Sequence, residues 1–364
     1  MVPKSLSAVN ITVLGSASAQ PSSTRNHSAL AVRLNGDVWL FDCGEATQHR
    51  IQKSSVKMGK INKIFITHTH GDHIFGLLPL MASCLDGAGG MCLEIYGPLG
   101  TRAFIRNGIH YSYTHLGAPY VCHELRLPDD PQDGDYTTLP PRWPEQPGRN
   151  IAQTDGVWKD VFRDEIVSVS AAPIYHSVPS VGFVVTELPI PGKINPKEYV
   201  PHLTRTNTPL SVMKQLQQGL SVELSDGTVL FGPPRRPGRK LVILGDTYDP
   251  SPIAALAADA DLMVHEATNA HLPGIDPNTK PEETFEGIEA RTKARGHSTP
   301  QMAGRFAKRM CAKRLLLNHF SARYAGNDDV DEDARRIMEG IRELAVQEYD
   351  GPVICARDFM SFDV

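Results

Sequence analysis

The chain has 364 residues, 41% of them hydrophobic, enough for one large globular domain or two modest ones. It contains no run of 18 apolar residues, so no membrane span is expected, and its opening MVPKSLSAVNITVLG lacks the apolar core and cleavage site of a signal peptide. A net charge of −4 and a pI of about 6.4 argue against a generic nucleic-acid binder, while leaving room for a local basic patch. The six cysteines, at 43, 84, 92, 122, 311 and 355, form no CxxC pair. Neither a disulfide framework nor a thiolate zinc site is therefore expected, and an intracellular, reducing setting (cytoplasm and/or nucleus) is.

The chain opens with alternating strands and turns: 9–14, then a Gly/Ser loop, then 28–34 and 38–42. Asn35-Gly36-Asp37 between the last two is a hairpin signal. Residues 44–57 read as a helix, 62–67 as a buried strand, 73–86 as a second helix, 94–96 as a short strand and 101–110 as a third helix. The stretch 126–155 is Pro-rich, acidic and without periodicity, which predicts a mobile surface loop. Strands resume at 165–170 and 181–185. Residues 187–240 are irregular again, with eight prolines and with Lys193, Lys197, Arg205, Lys214, Arg235, Arg236, Arg239 and Lys240. Lying between two core strands, this segment reads as an insertion. Strands near 241–244, 261–265, 314–318 and 352–356 follow, with helices at 251–258, 299–312 and 331–348. The pattern is that of an α/β sandwich, a single domain over 1–364 with no fixed-period repeat.

The densest chemistry lies at His68-Thr69-His70-Gly71-Asp72-His73, between the apolar runs 64–66 and 74–78. Alternate side chains of an extended segment point the same way, so His68 and His70 can share one ion, while Asp72 and His73 at a helix start can turn towards another. Imidazole and carboxylate at this density form a ligand set for Zn²⁺ or a similar first-row ion. Four later segments each place a His or Asp at a strand end beside a small-residue turn: Tyr175-His176-Ser177, Gly245-Asp246-Thr247, Gly296-His297-Ser298-Thr299 and Asn318-His319-Phe320-Ser321. Repeated polar endings of apolar strands are how one edge of a sheet presents a site.

In this order HxHxDH, a single His, GDT, His265-Glu266-Ala267-Thr268 (HEAT), GHST and NHFSxRY resemble tRNase Z, the tRNA 3′-processing endoribonucleases of the metallo-β-lactamase superfamily. The resemblance runs from Leu14-Gly15-Ser16 to the end, at the length of the short, ELAC-type form. It implies an αββα metallo-β-lactamase sandwich with an inserted flexible arm. Carried over residue by residue, it implies one zinc on His68, His70 and His176 and a second on Asp72, His73 and His319, with Asp246 bridging both. Two ions so bridged can activate water and polarise a phosphoryl oxygen together. The resemblance makes Asp72 the general base as well as a ligand, and His297, oriented by Glu266, the proton donor to the leaving 3′ oxygen. A carboxylate behind an imidazole fixes its tautomer and favours its charged form. His265 is expected to be structural, and Ser321, Arg323 and Thr268 to meet phosphate or support the ligands. The loop 16–25 is expected either to touch the RNA end or to be a plain turn.

The insertion at 187–240 corresponds to the family's arm, which grips the tRNA elbow. Lys193, Arg235 and Arg236 are its expected phosphate contacts, and Pro191-Gly192-Lys193, Pro209-Leu210 and Gly232-Pro233-Pro234-Arg235 resemble arm motifs. Thr206-Asn207-Thr208-Pro209-Leu210 stands where the family's glycine-proline motif is usual. The implied partner is precursor tRNA, cut to leave a 3′ hydroxyl, with homodimerisation a family expectation and no membrane partner. Two other readings keep the same centre: a hydrolase of small phosphodiesters or thioesters, and an enzyme acting on damaged tRNA ends. A non-catalytic RNA-binding relative would be expected to have lost ligands, and this chain has the complete set.

Overall fold

The computed structural model describes residues 6, 8–86, 92–189, 192–326 and 328–364. Two large sheets dominate it. The first runs, in spatial order, Ser361–Asp363, Val9–Gly15, Ala29–Leu34, Asp37–Phe41, Ile61–Phe65, Leu93–Pro98, Tyr120–Arg126 and Glu145–Gln146, with Asn150–Ala152 also pairing to Tyr120–Arg126. The second runs Trp158–Arg163, Val167–Ile174, Ser180–Glu187, Lys240–Leu244, Leu262–Glu266, Leu315–Asn318 and Val353–Cys355. Aromatic side chains join the inner faces: Phe183 of the second sheet meets Phe41 at 5.9 Å and Phe65 at 5.3 Å between ring centroids. Ile51, Leu77, Leu80, Met81 and Ile105 seal helices Thr47–Gln52, Leu77–Cys84 and Thr101–Ser112 onto the first sheet. The strongly amphipathic helices Pro300–Arg309 and Glu332–Val346 cover the second. The layers are therefore helix, sheet, sheet, helix, as expected.

Strand direction positions the site. Asp37–Phe41, Ile61–Phe65 and Leu93–Pro98 are mutually parallel. So are Lys240–Leu244, Leu262–Glu266, Leu315–Asn318 and Val353–Cys355. Parallel strands end at one edge, and open α/β sheets bind ligands outside those carboxyl ends. Asp42, His68, Asp246, Glu266 and His319 all lie at or just beyond such ends.

Several elements differ from the expectations. The helix expected over 44–57 is confined to Thr47–Gln52, and that over 73–86 is two pieces, Gly71–Ile74 and Leu77–Cys84. At the break, a Cβ on Gly76 would sit 2.0 Å from the Gly44 carbonyl oxygen, so the chain must pass there without a side chain. Tyr120–Arg126 is a strand that sequence patterning misses because its buried face is charged. Glu124 accepts from Gly100 N and Arg102 N at 3.0 Å and from Arg126 Nη2 at 2.6 Å. The 126–155 stretch, expected as a mobile loop, carries two short strands and is pinned by ion pairs. Arg106 reaches Asp135 at 2.7 Å and Glu145 at 2.6 Å, and Arg102 also pairs with Asp135.

The insertion has more structure than expected. Helices Pro196–Arg205 and Met213–Gln217 and the hairpin Val222–Glu223/Val229–Leu230 enclose a small core of Tyr199, Leu203, Leu216, Leu224 and Leu230. Residues 186–239, together with 163–168 and the described Leu6, form a compact unit of their own. Glu187 closes its base, accepting from Leu6 N and Arg239 Nε, both at 3.0 Å. Pro191 of the Pro191-Gly192-Lys193 stretch lies outside the described residues, as does the start of the chain, 1–5. Among the described residues no helix is long and apolar enough to cross a membrane, and all six cysteines are free.

Candidate metal centre

His68, His70 and His176 bring three ring nitrogens within 4.8 Å of one another, and Asp72, His73, Asp246 and His319 bring two ring nitrogens and two carboxylate oxygens equally close. All seven expected ligands are thus brought together. Asp246 Oδ2 lies 3.8 Å from His68 Nε2 and 3.3 Å from His319 Nε2, and its Oδ1 lies 3.3 Å from His73 Nε2, so one carboxylate faces both groups. His73 Nε2 and His319 Nε2 approach to 3.1 Å, and His176 Nε2 and His70 Nδ1 to 3.3 Å. Ligands about 2.0–2.1 Å from one tetrahedral ion stand roughly 3.3 Å apart, so these spacings suit Zn²⁺. His68 Nε2, fully buried, has no hydrogen-bond partner. A buried lone pair left so is costly unless a cation takes it. The residues present fit a divalent metal pair.

Supporting bonds set which nitrogen each imidazole offers. His73 Nδ1 is 2.7 Å from Asp42 Oδ2, which also accepts from Thr67 Oγ1 at 2.9 Å. His176 Nδ1 donates to the Gly296 carbonyl at 2.7 Å. His319 Nδ1 lies 3.2 Å from Thr268 Oγ1. In each case Nε2 is left facing the centre, the arrangement that raises ligand basicity. Gly296 has φ +87°, and a Cβ there would lie 2.6 Å from His176 Nδ1, which explains the glycine of GHST. The Thr299 side chain of the same motif caps helix Pro300–Arg309 through Met302 N.

Glu266 and His297 meet as expected, at 3.2 Å between Oε1 and Nδ1. Glu266, His297 and His319 also cluster tightly enough to suggest a third ligand group. Both Glu266 oxygens are committed elsewhere, however. Oε1 accepts from Thr247 N at 2.7 Å, and Oε2 from Ser298 N at 3.0 Å and Thr268 Oγ1 at 2.5 Å. Glu266 is therefore a holder of His297 rather than a ligand. Burial disfavours the His297 charge, but the Glu266, Asp246 and Asp72 carboxylates outweigh it and raise its pKa to about 9. Burial likewise opposes charge on His73, and Asp246 and Asp42 override it, holding this ring well above the usual range. Burial and the neighbouring imidazoles hold His68 well below it. Although burial pulls the other way, His319 and His73 hold the Asp72 and Asp246 carboxyls far down the acid range.

The remaining expected site residues divide. Thr268 is buried and bonded to His319 and Glu266, a supporting position with no reach to substrate. Arg323 is committed to protein, donating to the Ala270 carbonyl at 2.7 Å and pairing with buried Asp276 at 3.4 Å, so it is not held out for phosphate. Ser321 is half-buried in the short Phe320–Ser321 bridge to Ala17–Ser18 and does not line the cleft. His265 is fully buried, with Nδ1 on the Glu266 carbonyl, and belongs to no ligand group. Lys193, Arg235 and Arg236 lie exposed in the inserted unit. Arg205 pairs with Asp226 at 2.7 Å and Arg239 with Glu187, which takes two of the eight cations away from external partners.

A cleft of about 540 Å³ opens over the centre, lined by His70, Asp72, His176, Asp246 and His297 and, unanticipated, by His27, Glu45 and Arg295. Sequence reasoning also missed Asp42. Its signal was the same strand-end carboxylate that singled out Asp246. Arg295 could have been read from its place beside Gly296, whereas nothing local marks His27.

Comparisons with known proteins identify the family. The chain is 38% identical over 388 aligned positions to the zinc phosphodiesterase ELAC protein 1 of Bos taurus, covering 98% of each. It is 36% identical over 387 positions to that of Homo sapiens, again 98% of each. A ribonuclease Z of a Cyanothece species is 35% identical over 98% of this chain and 96% of its own length. Among solved structures, the short-form human tRNase Z (ELAC1) superposes with TM-score 0.63 at 33% identity, covering 97% of this chain and 98% of that one. The metallo-β-lactamase fold protein YhfI of Bacillus subtilis, at TM-score 0.57 and 18% identity, covers 98% of this chain and 100% of its own and shares the fold. The family model of the anti-Pycsar protein Apyc1 matches residues 9–86, the part carrying HxHxDH. With identities above 30% over nearly the whole of both chains and a complete His/Asp centre, this chain belongs to the ribonuclease Z family of ELAC-type zinc phosphodiesterases, on a metallo-β-lactamase fold.

Proposed function

We propose that this chain removes the 3′ trailer from precursor tRNA by hydrolysis, leaving a 3′ hydroxyl on the tRNA and a 5′ phosphate on the trailer. The observation that carries the reading is a centre where seven ligands and the His297–Glu266 pair converge beneath one cleft lined by His70, Asp72, His176, Asp246 and His297. His68, His70 and His176 would hold one Zn²⁺ and Asp72, His73 and His319 a second, with Asp246 shared. The metal pair would supply positive charge at the scissile phosphate and an activated water. Asp72, held ionised, accepts the water's proton. His297 has Nδ1 committed to Glu266, so its other nitrogen delivers a proton to the departing 3′ oxygen, a poor leaving group without one. Asp42, Thr268 and the Gly296 carbonyl keep the imidazoles aimed.

The inserted unit serves as the tRNA grip. Lys193, Lys197, Lys214, Arg235 and Arg236 are exposed and have no carboxylate partner among its described residues, which leaves them free for backbone phosphates. A homodimer in a reducing compartment is the accompanying expectation, checked by light scattering on purified protein. The decisive experiment incubates that protein with a 3′-extended tRNA and maps both product ends. Cleavage beside the discriminator with a 3′ hydroxyl supports the reading. Faster turnover of a thioester or cyclic nucleotide than of the precursor would replace it with the small-substrate alternative. Metal analysis at saturation should give close to two ions per chain, and Asp72→Ala should abolish cleavage while RNA binding survives.

A further inference from the structure

The cleft wall beside Asp72 carries a second imidazole–carboxylate pair, one that proton transfer at His297 does not use. His27 and Glu45 line the cleft together with Ser18, Ala19 and Asp72. Ala19 N donates to Asp72 Oδ2 at 2.8 Å, which ties this wall to the carboxylate proposed as base for the attacking water. His27 is 8% exposed and its Nδ1 has no hydrogen-bond partner. Glu45 Oε2 lies 3.8 Å from that nitrogen, too far for a direct bond, and its side chain is 69% exposed. The ring is fixed from behind. A Cβ on Gly44 would lie 2.5 Å from His27 Cβ and 2.3 Å from the Asp72 carbonyl oxygen, so the glycine lets His27 pack against the Asp72 backbone. Asn26 Nδ2 donates to the Glu45 carbonyl at 2.7 Å, and flanking Asp42 and Ala46 hold φ near +60°, in the left-handed region.

An exposed carboxylate on the wall of a phosphodiester cleft repels phosphate oxygens, so its partner is a neutral donor. The neutral donors of a ribonucleotide chain are the 2′-hydroxyl and base N–H groups. A hydroxyl suits the pair better, because it both donates and accepts. Glu45, free to swing, can admit it beside the shielded nitrogen, taking its hydrogen while His27 Nδ1–H bonds its oxygen. Building on the proposed trailer cleavage, we infer that His27 and Glu45 read the ribose 2′-hydroxyl of the first trailer nucleotide and make the enzyme selective for RNA there. The choice of ribose follows from the direction of attack. The upstream ribose carries the leaving oxygen and faces His297, away from the attacking water, while the trailer ribose hangs on an equatorial oxygen between the two, which leaves it the nearer ribose to the Asp72 wall. The 2′-hydroxyl is the group by which a protein distinguishes RNA from DNA at one position.

The test compares an all-ribose precursor tRNA with one carrying a single 2′-deoxynucleotide at the first trailer position. A third precursor carries the deoxynucleotide just upstream of the cut. For wild type, kcat/KM should fall at least about tenfold for the first substitution and little for the second, the size expected on losing a hydrogen bond to a charged group. Glu45→Ala and His27→Ala should cleave the all-ribose precursor more slowly and show a ribose-to-deoxy ratio near one. Each ratio is taken within one enzyme, so a loss of folded protein cancels. A wild-type ratio near one, or an unchanged ratio in both variants, overturns the inference. Sensitivity to removal of a base amine without sensitivity to 2′-deoxy does the same. No cleavage of the all-ribose precursor by wild type would sink the trailer-processing reading itself, a separable result.

Discussion

Replacing Glu266 by glutamine tests the proton-donor assignment with a change of one atom. Four donors point at this buried carboxylate: Thr247 N, Ser298 N, Thr268 Oγ1 and His297 Nδ1. Whichever way the amide turns, its NH2 faces a backbone N–H, leaving at least one buried donor unpaired at about 1–3 kcal/mol of stability. The larger effect is on His297. With its carboxylate its pKa is about 9, and without it burial pulls the ring back towards its ordinary 6.5 as the limit. The protonated fraction at pH 8 then falls from about 0.9 to about 0.03, roughly thirtyfold, but at pH 6 by less than about twofold. Metal ions at the centre lower both values together and move this window to lower pH. The assay is kcat/KM for precursor tRNA and for a nitrophenyl phosphodiester from pH 6 to 10. Glu266→Gln should slow RNA cleavage at least about thirtyfold at pH 8 and approach wild type only as pH falls below that window. The nitrophenyl substrate, whose leaving group needs no proton, should barely respond. Equal slowing on both substrates, or a defect independent of pH, would refute general-acid catalysis by His297 and leave Glu266 a folding role.

Stability of the metal-free protein should depend on pH through the same rings. His297 and His73 are raised in the folded state, so their contribution is complete below about pH 6.5 and lost as pH rises through about 9, on the order of 3 kcal/mol for His297 alone. Urea midpoints of chelator-treated protein should fall across that window, and a flat profile would contradict it. Gly296→Ala forces a side chain onto a φ of +87° and against His176 Nδ1, so it should weaken one metal site selectively; full occupancy of both by metal analysis would show the packing there to be slack. Asp42→Asn removes the carboxylate behind His73 and should cost about 10–100-fold in metal affinity, read by competition with a zinc chelator. Exchanging residues 193–236 for a Gly/Ser linker should weaken tRNA binding and flatten its salt dependence by about 0.9 log–log units for each phosphate no longer neutralised. Unaltered tRNA affinity would dismiss the arm as the grip.

The centre was legible in the sequence because its ligands are chemically rare and repeat one local pattern, a polar residue closing an apolar strand. His68, His70, Asp72 and His73 announce themselves by spacing alone, and His176, Asp246, His297 and His319 by their strand-end turns. The layered fold was legible for the same reason, since period-two apolar strands and amphipathic helices encode burial locally. The pairing of charges whose partners are distant in sequence is set by the folded chain alone. Tyr120–Arg126 is polar to the eye, and becomes a buried strand because Arg126 neutralises Glu124 while Arg102 and Arg106 gather Asp135 and Glu145. Arg323 looks like a phosphate hand until Asp276 claims it. The 187–240 insertion has too many prolines to show a period, and its five-residue core forms only once its short helices and hairpin pack together. Asp42 lies 31 residues from His73, Glu266 lies 19 and 32 from its donors Thr247 N and Ser298 N, and His27 lies 18 from Glu45, beyond any local rule. A residue's type limits what it can donate, accept or ligate, but the folded backbone sets which partner it meets.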